Sequence, residues 1–173
     1  LKASDKAMSE KAQKCGFVSV IGLPNAGKST LVNAMVGTKV SIVSRKVQTT
    51  RSRILGIALH ENAQIILIDT PGIFKAKKTL EKAMVNAAFS SFEEADYIVH
   101  IIDAATKDPV GNNKLLNDAL KQRDAKNVIL ALNKVDRVEK TKLLALAQEL
   151  NEDFPYEATF MISALSGKGV GDV

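Results

Sequence analysis

A chain of 173 residues with 46% hydrophobic, 25% charged and 5% aromatic residues has the size and make-up of one α/β domain with a sizeable core. No apolar run approaches membrane-spanning length, the single cysteine (Cys15) excludes an internal disulfide and leans towards a reducing compartment, and "LKASDKAMSEKAQK" is too charged for a secretory signal. The formal charge of +5 favours an anionic partner and excludes none of nucleic acid, ribosome or membrane surface.

Residues 1–14 form a polar tail without an initiator Met, so the true N-terminus is expected upstream. "CGFVSVIG" is then a strand-length apolar run that ends in "GLPNAGKST". From Ser29, Leu31, Val32, Met35 and Val36 recur with helical spacing, and Gly37 is a natural stop. A polar, basic stretch covers Thr38–Arg53, and "ILGIALH" and "QIILID" around "ENA" predict a hairpin. A helix is expected over Leu80–Phe92, a strand at "YIVHIID", and a helix over Lys114–Gln122. A strand at "NVILALN", a helix over Lys140–Leu150 and a last strand at "EATFMISA" follow. This alternation predicts a mostly parallel six-stranded sheet with one antiparallel strand and helices on both faces. The sequence stops at "GKGVGDV", where a closing helix is expected to begin.

Gly22, Gly27, Lys28 and Ser29 fit G-x-x-x-x-G-K-[ST] between a strand and a helix, the context that makes this pattern specific. Over Gly22, Leu23, Pro24, Asn25, Ala26, Gly27, Lys28, Ser29 and Thr30 the backbone can wrap a phosphate chain with its N–H groups. Lys28 supplies a point charge to the β and γ phosphates, and the Ser29 hydroxyl is a candidate Mg²⁺ ligand. Asp69 ends a buried strand, where a carboxylate holds Mg²⁺ through water; alone it would read as a turn cap before Pro71. The loop it opens, Asp69-Thr70-Pro71-Gly72-Ile73, has the form that watches a terminal phosphate. Ile73 stands where many nucleoside triphosphatases keep a water-orienting Gln, and it can neither donate nor accept a hydrogen bond.

Asn133-Lys134-Val135-Asp136 follows "VILAL", at the carboxyl edge where open α/β sheets bind nucleotides. The Asp136 carboxylate accepts from guanine's ring N–H and exocyclic amine. Adenine lacks that donor pair and would leave a buried acceptor unsatisfied, at about 1–3 kcal/mol. Asn133 is expected to tie loops together and the Lys134 stem to lie over the base. Backbone amides of Ile162, Ser163 and Ala164 are expected to reach the guanine oxygen. Four short strings in this order, each at a strand end, point to a guanine-nucleotide site.

The same strings, with "VSIVSRKVQTTRSRILGI" between them, make the chain similar to the translation-factor-related GTPases of the TrmE-Era-EngA class, and within these to the Era family. "SIVSR…QTTR" is the most family-specific part, the similarity runs from Gly16 onward, and Val47 stands where the family often has Pro. The resemblance implies an Era-type GTPase domain over residues 15–173 that binds GTP and GDP with Mg²⁺ and hydrolyses GTP. It implies a role in small ribosomal subunit assembly and rRNA maturation, and a cytoplasmic location with peripheral contact at the inner membrane. Era proteins carry a C-terminal KH domain that binds small-subunit rRNA. The sequence stops before it, so the rRNA partner is expected of the full protein.

The resemblance also assigns switches. Thr38–Arg53 becomes the first, with Thr50, or Thr49 beside it, ligating Mg²⁺. Asp69–Lys78 becomes the second, with the Gly72 N–H on the γ-phosphate. Lys28, Thr50, Gly72 and Asn25 form the implied catalytic set. Related GTPases use an Asn at the Asn25 position to help hold K⁺, which would offset the missing Gln, although Asn suits such a turn in any case. Arg51 and Arg53 read as solvated switch residues, His60 and His100 as structural, and "KAKK" (75–78) with Lys82 as a solvated face. Leu143, Leu144, Ala147 and Leu150 read as helix core. Two other readings stand beside a GTPase switch: a module regulated by nucleotide occupancy with negligible turnover, and the GTPase domain of a tRNA-modifying enzyme.

Overall fold

A computed structural model describes residues 14–37, 53–69 and 95–173, and at Arg53 and Asp69 the backbone alone. Its strands are β1 (Lys14–Ile21), β2 (Arg53–His60), β3 (Ala63–Asp69), β4 (Tyr97–Asp103), β5 (Val128–Asn133) and β6 (Ala158–Met161). They form one six-stranded sheet in the order β2-β3-β1-β4-β5-β6. Only β2 is antiparallel to its neighbour; the other pairings are parallel. The expected sheet, with one antiparallel edge strand, is the one found.

The hairpin closes through Glu61 and Asn62, with Glu61 in the left-handed region at φ 49. Gly56 lies beside a register shift in β2, and a Cβ there would come within 2.6 Å of a Val36 methyl. Helix α1 (Lys28–Val36) can therefore lie close against this end of the sheet.

Because successive strand residues face opposite ways, β4 feeds two cores. Val99 and Ile101 join Leu31 and Val32 of α1 on one face. Ile98 and Ile102 join Leu120 of α2 (Pro109–Gln122) and Leu150 of α3 (Lys140–Asp153) on the other. Full burial of such a side chain contributes about 1.5–3 kcal/mol.

The second core also contains a chain of polar side chains. His100 is fully buried, with Nδ1 2.9 Å from the Tyr156 hydroxyl and Nε2 3.3 Å from Asn113 Oδ1. The Tyr156 hydroxyl donates to Asn117 Oδ1 (2.9 Å), and Asn117 Nδ2 donates to Asp153 (2.7 Å), which also accepts from Lys121 (2.7 Å). The structural reading of His100 is the one found. His60 is exposed at the end of β2.

Three boundaries differ from expectation by three residues or more. Helix α2 starts at Pro109 rather than Lys114, because Asp108 caps it by accepting from the Gly111 N–H at 2.9 Å and Pro109 takes the first helical position. Helix α3 runs on to Asp153. Strand β6 stops at Met161; the Ile162 N–H still reaches Leu132 O of β5 at 2.8 Å, and the chain then turns away, with the Ser163 N–H on Lys168 O at 2.9 Å. The apolar stripe of α3 also needs correction. Leu143 and Leu150 are buried, but Leu144 is 66% exposed, since adjacent helical residues point about 100° apart. The helix expected over 80–92 and the "KAKK" run lie outside the described residues. Among the described residues, no helix is long and apolar enough to cross a membrane.

Candidate functional site

The loop from β1 to α1 depends on glycine for internal reasons. Gly22 has φ 152, and a Cβ there would strike the Ile101 carbonyl oxygen of β4. Gly27 has φ 107, and a Cβ there would strike the Asn133 amide nitrogen. Any L-residue would be strained at such angles and would also push the loop off the sheet edge. Asn25 takes φ 63, which Asn tolerates better than most side chains.

Lys28, first in α1, folds back so that Nζ donates to Gly22 O (2.7 Å) and Leu23 O (2.9 Å). This sets a positive charge over the loop. Gly27 is the N-cap and contributes no side-chain acceptor, so the first-turn N–H groups are left to other partners, as an anion site at a helix N-terminus requires. Ser29 is exposed in that turn.

Asn133 ends β5 and is 2% exposed. Its Nδ2 donates to Ala26 O (2.8 Å) and its Oδ1 accepts from the Ala164 N–H (2.9 Å). The tie between loops expected of it is present. Lys134 follows in the left-handed region at φ 63, and its ammonium sits 2.5 Å from Asp103 Oδ2. Val135–Arg137 form a 3₁₀ turn that carries Asp136 into solvent. Hydrogen bonding from Ser163 is the largest influence on Asp136 and holds its carboxyl below the usual carboxylate range.

The amides of Ile162, Ser163 and Ala164 donate to Leu132 O, Lys168 O and Asn133 Oδ1 respectively. The Ser163 hydroxyl influence on Asp136 and the Asp103–Lys134 pair are the parts sequence reasoning missed. Neither has a local signal, since each joins the ends of different strands.

Pro24, Asn25, Gly27, Lys28, Ser29 and Thr30 from the loop share one cavity of about 450 Å³ with Asn133, Lys134, Asp136 and Ser163. Arg137 and Leu165 complete its wall, and Leu165 is 82% exposed. Of its lining groups, Asp136 offers two acceptor oxygens suited to a flat polar ring with paired donors, and Lys28 and the first turn of α1 offer the charge and donors suited to a polyphosphate.

Thr49, Thr50, Arg51, Thr70, Pro71, Gly72 and Ile73 lie outside the described residues. Ile68 of β3 pairs with Ser19 of β1, so Asp69 ends its strand at the edge from which the loop departs. A hydroxyl from Ser29 and a carboxylate from Asp69 are the hard oxygen donors that suit Mg²⁺. No group of three or more His, Cys, Asp or Glu able to hold a metal occurs among the described residues.

Residues 17–134 match the family described as 50S ribosome-binding GTPase. GTPase Era of Bradyrhizobium diazoefficiens is 54% identical over 94% of the chain and 52% of its own length. GTPase Era of Brucella suis is 52% identical over 92% of the chain and 51% of its own length. A solved Era in complex with MgGDPNP and nucleotides 1506–1542 of 16S ribosomal RNA superposes at TM-score 0.71, with 40% identity, over 93% of this chain and 55% of that one. Aquifex aeolicus Era Y63A bound to GDP and AlF4⁻ gives 0.69 at 40% identity, over 92% of this chain and 55% of that one. The chain thus spans about half the length of the curated relatives it matches.

Proposed function

This chain belongs to the Era family of GTPases, and on that premise we propose that it binds GTP and GDP with Mg²⁺ in the cleft and hydrolyses GTP to GDP and phosphate. The observation that carries the reading is Asn133, which fastens the phosphate loop at Ala26 to the Ala164 loop and so joins the two ends of one cavity. A base recognised at Asp136 is thereby held at a fixed distance from Lys28.

In this reading Lys28 and the backbone N–H groups of the loop stabilise the charge that builds on the phosphates, without reorganising as the reaction proceeds. Ser29 and Asp69, with Thr50 or Thr49, hold Mg²⁺, which neutralises phosphate charge when bound. Gly72 offers its N–H to the γ-phosphate. Ile73 cannot orient water, so that role falls to backbone groups of the switches, with Asn25 as the candidate side chain for holding K⁺ beside the phosphates. The position of Asn25 in the cleft wall supports this.

The biological role we propose is assistance to small ribosomal subunit assembly, with rRNA contact made by a KH domain of the full protein. We propose a cytoplasmic protein with peripheral contact at the inner membrane. The solved Era with 16S rRNA at 40% identity supports the small-subunit partner. A large-subunit partner is the second reading, favoured by the description of the matched family. Co-sedimentation of the full-length protein with each purified subunit separates the two.

Hydrolysis is tested by single-turnover assays in potassium and then sodium buffer of equal ionic strength. A rate advantage in potassium that Asn25→Ala abolishes is the expected result. Equal rates would remove the K⁺ role and leave backbone positioning of water. No turnover with nucleotide bound would favour a module regulated by occupancy.

A further inference from the structure

The ion pair between Lys134 and Asp103 is 2.5 Å long, and both side chains are about three-quarters shielded, at 26% and 23% exposure. Neither end of it is loose. Asp103 is the last residue of β4, in register with Asn133 of β5, and the neighbouring Ala104 N–H donates to Asn133 O at 2.9 Å. The second carboxylate oxygen of Asp103 accepts from the Ala105 N–H at 2.9 Å. The Lys134 backbone is fixed between the end of β5 and the 3₁₀ turn that carries Asp136.

A lysine stem is flexible and its ammonium strongly hydrated, so an untethered Lys134 would spend most of its time away from any one surface. Fastened at both ends, the four-carbon stem is confined to the wall of the cleft that Lys134 lines with Asp136, Ser163 and Leu165. Asp103 is not among the residues that line the cleft, whereas its ion-pair partner Lys134 is.

We propose that Asp103 is a positioning residue for the nucleotide: it holds the Lys134 ammonium so that the stem forms a preorganised apolar wall against the face of the base whose edge meets Asp136. This rests on the reading of the cleft as a guanine-nucleotide site. Preorganisation matters most for residence time, because a wall already in place adds contact without ordering the side chain on binding.

The test is stopped-flow release of ribose-labelled GDP from the full chain, for wild type, Asp103→Asn, Asp103→Ala, Lys134→Ala and the double variant Asp103→Ala/Lys134→Ala. Asp103→Ala is expected to speed release on the order of tenfold. Asp103→Asn, which keeps the shape and the acceptor but not the charge, should speed it less. In the Lys134→Ala background, Asp103→Ala should add almost nothing. Release at the wild-type rate from Asp103→Ala would overturn the proposal. So would an equal acceleration in both backgrounds, which would make Asp103 a structural group of the sheet edge. Failure of the wild-type chain to retain GDP at all is a different result, and it would overturn the guanine reading beneath the proposal.

Discussion

Asn133 joins segments that are far apart in sequence. Its side chain reaches Ala26 and Ala164, and its backbone oxygen accepts from Ala104. Asn133→Ala would leave a buried carbonyl and a buried amide without their partners, at about 1–3 kcal/mol each. Urea denaturation should show that loss, and GDP titration should show weaker binding by the same protein. Gly27→Ala is expected to mimic part of this, since the added methyl meets the Asn133 amide at a backbone angle that disfavours it. The Ser19 hydroxyl is the opposite case: it is fully buried and has no hydrogen-bond partner among the described residues. Ser19→Ala is therefore expected to be at least as stable as wild type in the same denaturation assay. The role of Asn133 was legible because it opens Asn133-Lys134-Val135-Asp136 directly after a strand-length apolar run, at the sheet edge where loops meet. The partner of Lys134 and the engagement of the Ile162–Ala164 amides were not. The Lys134 partner and the bonds of the Ile162 and Ala164 amides depend on how closely the ends of β4, β5 and β6 approach, and no local pattern encodes that distance.

Among the elements, α2 shows why a helix start is harder to read than its middle. Its first turn, Pro-Val-Gly-Asn, carries little apolar periodicity, so the pattern emerges only towards Leu116. The usable signal was Asp108 followed by Pro109. Asp108→Ala is expected to cost about 0.5–2 kcal/mol through loss of the cap, measured as a lowered thermal midpoint. Along α3 the two adjacent leucines should separate cleanly. Leu143→Ala removes buried volume and should cost about 2–5 kcal/mol. Leu144→Lys, at a position 66% exposed, should stay within about 0.5 kcal/mol of wild type. The strands were the most legible elements, because parallel strands buried on both faces read as continuous apolar runs.

At the scale of the whole molecule, the second core meets the pH axis through His100. Burial lowers its pKa from 6.5 to about 4, against a raising contribution from the Asn113 hydrogen bond, and the charge of Lys28 lowers it further. The unfolded chain thus takes up a proton below about pH 6.5 that the folded chain refuses until about pH 4. Stability from this group is whole above that window, falls through it, and levels off below, for a total of about 3 kcal/mol. Chemical denaturation at pH 7 and pH 5 should show the fall, and His100→Gln should flatten it whatever its effect at pH 7. Acid loss below that window comes from carboxyls that the fold holds low, among them Asp153, chiefly through its hydrogen bond from Lys121, and Asp136, chiefly through Ser163.

The central claim is that one cleft, fastened by Asn133, recognises guanine at Asp136 and phosphates at Lys28. Equilibrium binding of GDP, ADP and XDP to wild type and to Asp136→Asn tests it most directly. Xanthine replaces the guanine amine with a carbonyl, which an Asn amide can donate to and an Asp carboxylate cannot. The wild-type chain should prefer GDP over ADP at least about a hundredfold, and Asp136→Asn should lose GDP and gain XDP. Equal binding of GDP and ADP, or a base preference that Asp136→Asn leaves unchanged, would contradict the account.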